Sequence, residues 1–431
     1  MAWEHRRGQE PVAEVTAFRG IRYHEQRAGD LSLLISPPYD VISPQERERL
    51  HRQSPYSFVR LVLGEELPGD NDSSNRFTRA GEYLRDWLRQ GILIQDPAPA
   101  IYRLKVDYEI PEGRRSLEGI TLLARLHPYD EGVILPHEKT LQGPKEGLRR
   151  LMLETGCNLD SVWMLYEDNG GHVREALSAA NWTPAAPAAQ DSSGVRYSLE
   201  ACASPEVIAA VREAFAEEQL IIADGHHRYE TALELAREMG GGTVPAGPWG
   251  QVMVTACWTD HPGLTVLPTH RVVRGIRQDL VDGLQEALAG RFSVRQCAPE
   301  NLKEALDSAP SSAFACVEKD RSWLAVPQWP VDATGAELLQ QVVLAERFGF
   351  DIARLKTDPR IAYVEHADSA TEMVQQQDYQ AAFLLKPIPV RTITRYAREG
   401  RCLPQKSTYF YPKLASGLVL RRIEEDVPVD G

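Results

Sequence analysis

The sequence predicts a mixed α/β protein, and three observations carry that prediction. Leu220 to Ala223 is a short apolar run suited to a buried strand, Asp224-Gly225 is a tight-turn dipeptide, and an amphipathic stretch follows. Through residues 101–275, strand-like and helix-like segments alternate. Of the 431 residues, 43% are apolar and 25% charged, the balance of a globular chain long enough for two or three domains. The expected division is an N-terminal α/β block over 1–100, a central domain over 101–275 and a C-terminal α+β block over 276–431.

In the first block, Ser36-Pro37-Pro38-Tyr39-Asp40-Val41 reads as a stiff loop, followed by a short helix from Pro44 through Arg52. Asn75 to Gln90 is a stronger helix: Phe77, Ala80, Tyr83, Leu84, Trp87 and Leu88 share one apolar face, and Gly91 stops it. The Pro-rich segment 95–100 marks a boundary. In the central block, 102–109 and 117–126 are expected to pair antiparallel across a polar turn. Pro144 suits the first position of a helix whose start is basic, with Lys145, Arg149 and Arg150. A strand is expected over 161–166, a surface loop over 183–194 and a helix over 205–219.

The central helix follows, its apolar positions being Tyr229, Ala232, Leu233, Ala236 and Met239. Beyond it come a Gly/Pro loop over 240–250, a strand over 251–258, and Leu264–Val273, which contains Thr269-His270-Arg271. In the third block, helices are expected at 279–290, 299–308, 335–347 and 389–399, and strands near 313–317, 322–326, 361–364 and 381–385. Leu403 to Lys413 is aromatic and basic without periodicity, and the last eight residues or so read as a disordered tail.

The start of the central helix is electrostatically odd. A helix N-terminus favours anions by roughly 0.3–1 kcal/mol each, because its first N–H groups are unpaired. Here the sequence offers up to three cations, His226, His227 and Arg228. Asp224 as N-cap offsets only part of this. A bound anion is the simplest compensation, and phosphate is the usual one at such a turn. Arg228 would add a bidentate fork and the imidazoles further donors. Two other readings stand beside this one. Asp224 merely caps a helix whose histidines are neutral, or His226 and Glu230, one turn apart, ligate a metal. Arg228 would repel such an ion, which favours phosphate.

Net charge of −13 argues against unspecific nucleic-acid binding, which needs a basic face. Six scattered cysteines without a CxxC pair read as reduced thiols. Apolar runs fall short of the roughly 18 residues a membrane span needs, and the N-terminus has no apolar h-region. A cytoplasmic protein is therefore expected. Walker A, GxGxxG, GxSxG and HExxH are absent.

Polar residues concentrate in proline-marked loops: Tyr39-Asp40, His137-Glu138-Lys139-Thr140, the 224–228 turn and Lys406-Ser407-Thr408. Each also suits a plain structural role. Asp40 can close a turn, Glu138 can pair with Lys139, Lys406 to Tyr409 can be an exposed connection, and His270-Arg271 a strand end. Together they describe a site that holds a phosphate and moves a proton or a phosphoryl group. Glu138 or His137 would be the general base. The 224–228 turn and Lys406 would hold phosphates, and Asp40 or Asp224 would carry Mg²⁺ through water.

The blocks SPPYDVIS (36–43), LPHEKTLQGPKE (135–146), IIADGHHRYETAL (221–233), LPTHRVV (267–273) and LPQKSTYFYPKLASGLV (403–419) resemble the signature blocks of the domain of unknown function 1015 family. The Asp224–Arg228 turn is also similar to the phosphate-binding turn of the ParB/sulfiredoxin-like fold, whose free-serine kinases contact nucleotide phosphates with it and use an upstream glutamate as base. That resemblance implies a central ParB/sulfiredoxin-like unit. It makes His226, His227 and Arg228 phosphate ligands, Asp224 a catalytic or metal-positioning carboxylate and Glu138 the upstream glutamate; the polar clusters themselves add Gly225, Lys406, Ser407 and Thr408 as candidate nucleotide-binding residues and His137 as a candidate catalytic one. Glu118 and Glu109 stand behind Glu138 as the upstream glutamate. Tyr39, Asp40, Lys139, Thr140, Lys145, His270 and Arg271 are the candidate substrate contacts. Sulfiredoxin chemistry is disfavoured, because it needs a cysteine where this chain has His226.

The expected function is thus a nucleotide-dependent phosphotransferase, using ATP or ADP with Mg²⁺ on a small hydroxylated metabolite, free serine being the specific candidate. A ParB-like nucleotide-binding regulatory protein and a phosphatase of a metabolite such as phosphoserine are the alternatives.

Overall fold

Alternation along short apolar strands sets the two faces of the main sheet. In the computed structural model, which describes residues 12–138, 145–376 and 379–424, Val162, Met164 and Tyr166 enter one core cluster while Trp163 and Leu165 enter another. Leu220 and Ile222 likewise oppose Ile221 and Ala223. Both faces are covered, which is why these strands read as continuous apolar runs. The fold is mixed α/β.

The main sheet has ten strands. Its order along the main path is Ala189–Gln190, Arg196–Cys202, Ile101–Ile110, Gly113–Arg125, Gln251–Trp258, Val162–Tyr166, Leu220–Asp224 and Ile134–Leu135. Val15–Thr16 and Thr183–Pro184 pair off this path. The long hairpin of Ile101–Ile110 and Gly113–Arg125 is the expected antiparallel pair. The stretch read as a loop over 183–194 instead contributes two short strands, Thr183–Pro184 and Ala189–Gln190. Helices Pro205–Phe215 and His226–Met239 cover one face through Val207, Val211, Phe215, Tyr229, Ala232, Leu233 and Ala236. Met239 departs from the expected stripe and is 50% exposed, whereas Leu235 is buried. The helix ends at Met239, where the chain turns into the glycine-rich segment, so its last side chain overhangs the edge of the core.

A six-stranded antiparallel sheet carries the C-terminal part, in the order Phe292–Gln296, Ser322–Pro327, Phe314–Glu318, Ala381–Leu385, His270–Val273 and Ile361–Val364. The helix expected over 279–290 is broken at Gly283 into Gln278–Asp282 and Leu284–Leu288. Strand Phe292–Gln296 and helix Ala367–Gln376 have no counterpart in the sequence reading. The expected 335–347 helix becomes π-helical over Leu339–Arg347.

A third, four-stranded sheet joins Leu93–Gln95, Gly20–Tyr23, Leu420–Arg422 and Cys157–Asn158. It therefore draws on all three blocks of the expected division. A two-stranded ladder pairs Thr265–Leu267 with Tyr409–Tyr411, tying the aromatic, basic segment to the middle of the chain. No helix among the described residues is long and apolar enough to cross a membrane, and the cysteines are free. Lys139, Thr140, Pro144 and the tail expected to be disordered lie outside the described residues.

Candidate functional site

The site is built at the end of strand Leu220–Asp224. Its pairing with Val162–Tyr166 shifts register between Ile222 and Asp224, which turns the Asp224 side chain out of the regular alternation. Gly225 then takes φ of 91°, and helix His226–Met239 begins. The position needs glycine twice over. Its backbone is left-handed, and a Cβ there would lie 2.8 Å from an Arg228 guanidinium nitrogen.

Gly225 occupies the N-cap position and no side chain caps the helix, so Asp224 is not the cap the sequence suggested. Its carboxylate is ion-paired with Lys413 and, at 2.8 Å, with Arg228. Burial opposes ionisation of Asp224, but Lys413 and Arg228 outweigh it and hold the carboxyl at about 2. Arg228 also donates to the Ser161 carbonyl. Its fork is committed to protein groups and does not stand open as a phosphate clamp.

The imidazoles are neutral for a physical reason. Burial lowers the His226 pKa well below its ordinary value, and His137, whose ring centroid is 4.9 Å away, adds to the shift. Burial and then Lys356 lower that of His227. The three-cation anomaly read from the sequence thus resolves into one paired arginine and two neutral rings. His226 Nε2 and His227 Nδ1 are nevertheless buried without a hydrogen-bond partner among the described residues. Unpaired buried polar atoms beside a helix N-terminus fit a polar ligand.

Glu138 organises the opposite wall. Its carboxylate accepts from the backbone N–H groups of Lys406 (3.2 Å), Ser407 (3.1 Å) and Thr408 (3.0 Å), and from the Thr408 hydroxyl (2.7 Å). Lys406 is held at φ of 58°, an uncommon conformation for a residue with a side chain. The backbone of Glu138 forms a parallel bridge with Leu403, whose N–H donates to the His137 carbonyl. Buried His137 donates from Nδ1 to the Ile222 carbonyl and places Nε2 2.8 Å from the Thr408 hydroxyl. Glu138 and His137 are therefore the clamp that fastens the 403–413 strap to the central strand.

These walls enclose a cavity of about 390 Å³. Tyr39, Asp40, Glu138, Asp224, Gly225, His226, His227, Arg228, Lys406 and Thr408 line it, as the sequence reading grouped them. Ser407 does not line it; its hydroxyl donates to the Pro404 carbonyl. Lys145 also lies off the cavity wall, paired with Glu230 at 2.7 Å and Glu234 at 2.8 Å. His270 and Arg271 are buried in the six-stranded sheet, where His270 accepts from the Leu385 N–H and Arg271 donates to the Thr269 carbonyl. Alternation sends these neighbours to opposite faces of the strand, both are buried, and neither lines the cavity, which Thr269 lines instead. Glu118 and Glu109 sit on the long hairpin, outside the lining.

Eight lining residues were not among the predicted site residues: Val41, Ala223, Thr269, Lys356, Glu365, Gln405, Tyr409 and Lys413. Three of them lie in the aromatic, basic segment whose Lys406 was singled out, so the segment's composition was the signal available. Lys356 and Glu365 arrive from the C-terminal sheet and its flanking turn, and nothing local marks them. Lys356 and Lys406 are not ion-paired among the described residues, and burial together with Lys406 lowers the Lys356 pKa. Asp40 and Glu365 face the cavity without a hydrogen-bond partner among the described residues. The cavity thus offers two open ammonium groups, two orphaned imidazole nitrogens, a helix N-terminus and two open carboxylates.

The family model described as "Protein of unknown function (DUF1015)" matches residues 15–343. No curated protein matches the sequence significantly. Among solved structures, a conserved hypothetical protein from Pyrococcus furiosus is 13% identical, with a TM-score of 0.38, over 68% of this chain and 93% of that one. A free serine kinase in complex with AMP is 13% identical, with a TM-score of 0.38, over 68% of this chain and 89% of that one. SbnI with a C-terminal truncation, from Staphylococcus aureus, is 12% identical, with a TM-score of 0.39, over 71% of this chain and 91% of that one.

Proposed function

Since the chain belongs to the DUF1015 family, whose description assigns no activity, we propose from its cavity that it is a nucleotide-dependent phosphotransferase acting on a small hydroxylated metabolite. The observation that carries this reading is the convergence of a 14-residue helix's N-terminus, two orphaned imidazole nitrogens and the open Lys356 and Lys406 on one cavity. Such a donor set suits a phosphate and stabilises charge on a transferring phosphoryl group. Free serine is the candidate acceptor suggested by the likeness of the turn.

The roles differ from the simplest transfer of that likeness. Asp224 and Arg228 neutralise one another and position the turn. Glu138 would release the strap if it took up a proton, because four loop donors rely on its charge. Asp40, open to the cavity, is the better proton acceptor for the substrate hydroxyl. As that O–H proton passes to Asp40, the hydroxyl oxygen bonds to the terminal phosphorus and the nucleotide's bridging P–O bond breaks. No cluster of three or more metal-ligating side chains occurs among the described residues. Mg²⁺ would therefore be held mainly by phosphates and water, with Glu365 beside it, and would neutralise phosphate charge.

The test is a thermal-shift series with ATP, ADP, pyrophosphate, phosphoserine and serine, each with and without Mg²⁺. A compound at 100 times its dissociation constant adds roughly 2.7 kcal/mol of stability. A shift with ATP or ADP, lost in the Lys356→Ala/Lys406→Ala double variant, is the expected outcome. A shift with phosphoserine alone would favour the phosphatase. No shift with any phosphate compound would overturn the reading.

A further inference from the structure

Beside the cationic cavity lies a groove of about 550 Å³. Two segments divide their side chains between the two spaces. Leu355 lines the groove and Lys356 the cavity; Pro404 lines the groove, Lys406 the cavity, and Gln405 borders both. The groove walls include Leu355, Tyr363, Leu403 and Pro404, and the Arg271 guanidinium stands 5.6 Å from the centroid of the Tyr363 ring. Its polar groups include the amides of Gln340 and Gln405, which have no hydrogen-bond partner among the described residues. Gln340 sits in the π-helix Leu339–Arg347, a helix form frequent at binding sites.

We infer that this groove is the base and ribose subsite of a purine nucleotide whose phosphates lie in the adjoining cavity. The inference rests on the nucleotide reading above and adds the place and chemistry of the base. A nucleotide is apolar and planar at one end and anionic at the other, which is how the 352–357 turn and the 403–406 segment distribute their side chains. An aromatic base gains from apolar and aromatic walls. A glutamine amide matches the donor–acceptor edge of adenine, which supplies the specificity that apolar walls lack. Arg271, buried behind Tyr363, acts through that ring as a positioning residue and not as a phosphate ligand.

The experiment is calorimetric titration of the full chain with ADP and, separately, with inorganic tripolyphosphate. Ala353 is exposed and lines the groove, so Ala353→Trp fills it without entering the core. The expected result is an ADP affinity reduced at least about ten-fold, with tripolyphosphate affinity unchanged. Gln340→Ala, a truncation at a partly exposed position, keeps the test valid should the first variant fail to fold. It is expected to weaken ADP about three-fold and tripolyphosphate not at all. If ADP binds wild type and both variants alike, or if both compounds weaken together, the groove assignment falls while the nucleotide reading stands. If wild type binds tripolyphosphate but neither ADP nor ATP, the nucleotide reading falls and takes the groove with it.

Discussion

Replacing Glu138 by glutamine keeps the size of the side chain and removes its charge, so it isolates the clamp on the strap. The carboxylate serves four donors: three backbone N–H groups and the Thr408 hydroxyl. In Glu138→Gln, the amide oxygen can still accept the three donors now on Oε1, but the amide nitrogen meets the Lys406 N–H, donor against donor. The Lys406 N–H lies at an exposed position, where water replaces the lost bond at a cost of about 0.5 kcal/mol, and each of the three surviving bonds loses its charge assistance, about 0.5 kcal/mol apiece. The total is about 2 kcal/mol, and each 1.4 kcal/mol is a factor of ten. Backbone amides of 403–413 should therefore exchange with deuterium about thirty-fold faster in the variant, as read by mass spectrometry of peptides across the strap. The 162–166 and 251–258 strands should be unaffected. Unchanged protection of the strap would refute the clamp and return Glu138 to the role of general base.

Three further outcomes follow from the same geometry. Asp224 is held down to about 2 in the folded chain against an ordinary 3.8, a gap worth on the order of 2 kcal/mol. That stability is present above 3.8 and fades as pH falls toward 2, so Lys413→Met should lower the melting temperature at pH 7 and flatten its decline on acidification. An equally steep acid decline in the variant would count against the Lys413–Asp224 pair. Burial holds His270 at about 4, where its Nδ1 accepts from the Leu385 N–H. Protonation favours the unfolded chain, so this site contributes stability above pH 6.5 and loses about 2 kcal/mol by pH 5; melting curves of wild type and His270→Gln across that window should diverge, and parallel curves would contradict it. Gly225→Ala should destabilise by about 1–3 kcal/mol through its left-handed backbone and the Arg228 contact, and a variant melting with wild type would exclude that strain.

What the sequence made legible was local. Leu220 to Ala223, Asp224-Gly225 and the stripe of Tyr229, Ala232, Leu233 and Ala236 sit within a few residues of one another, and periodicity alone placed strand, turn and helix. The cavity's mixture of loops was also foreshadowed, because Tyr39-Asp40, Glu138 and Lys406 cluster in proline-marked segments. The charge state of the turn was not legible. Burial neutralises His226 and His227, and the partner of Asp224 is Lys413, almost two hundred positions away; neither follows from spacing. Lys356 and Glu365 were missed for the same reason, since their approach depends on how the six-stranded sheet docks. Gly20–Tyr23 and Leu420–Arg422 are too short to show an alternating pattern, and only pairing, with one another and with Leu93–Gln95 and Cys157–Asn158 on their outer edges, makes them strands.

That pairing has a bearing on the order in which the protein is made. About 400 residues separate Gly20 from its register partner Arg421, so the early strand cannot complete its sheet until about 400 further residues have been made. At about 5–20 residues per second, it waits tens of seconds or more with that edge unpaired. Lys413 and the clamp donors at Lys406 to Thr408 emerge only shortly before Arg421. The nascent chain would therefore carry its turn and helix long before it had an enclosed cavity, and any release short of Leu420 would yield a body with an open sheet edge.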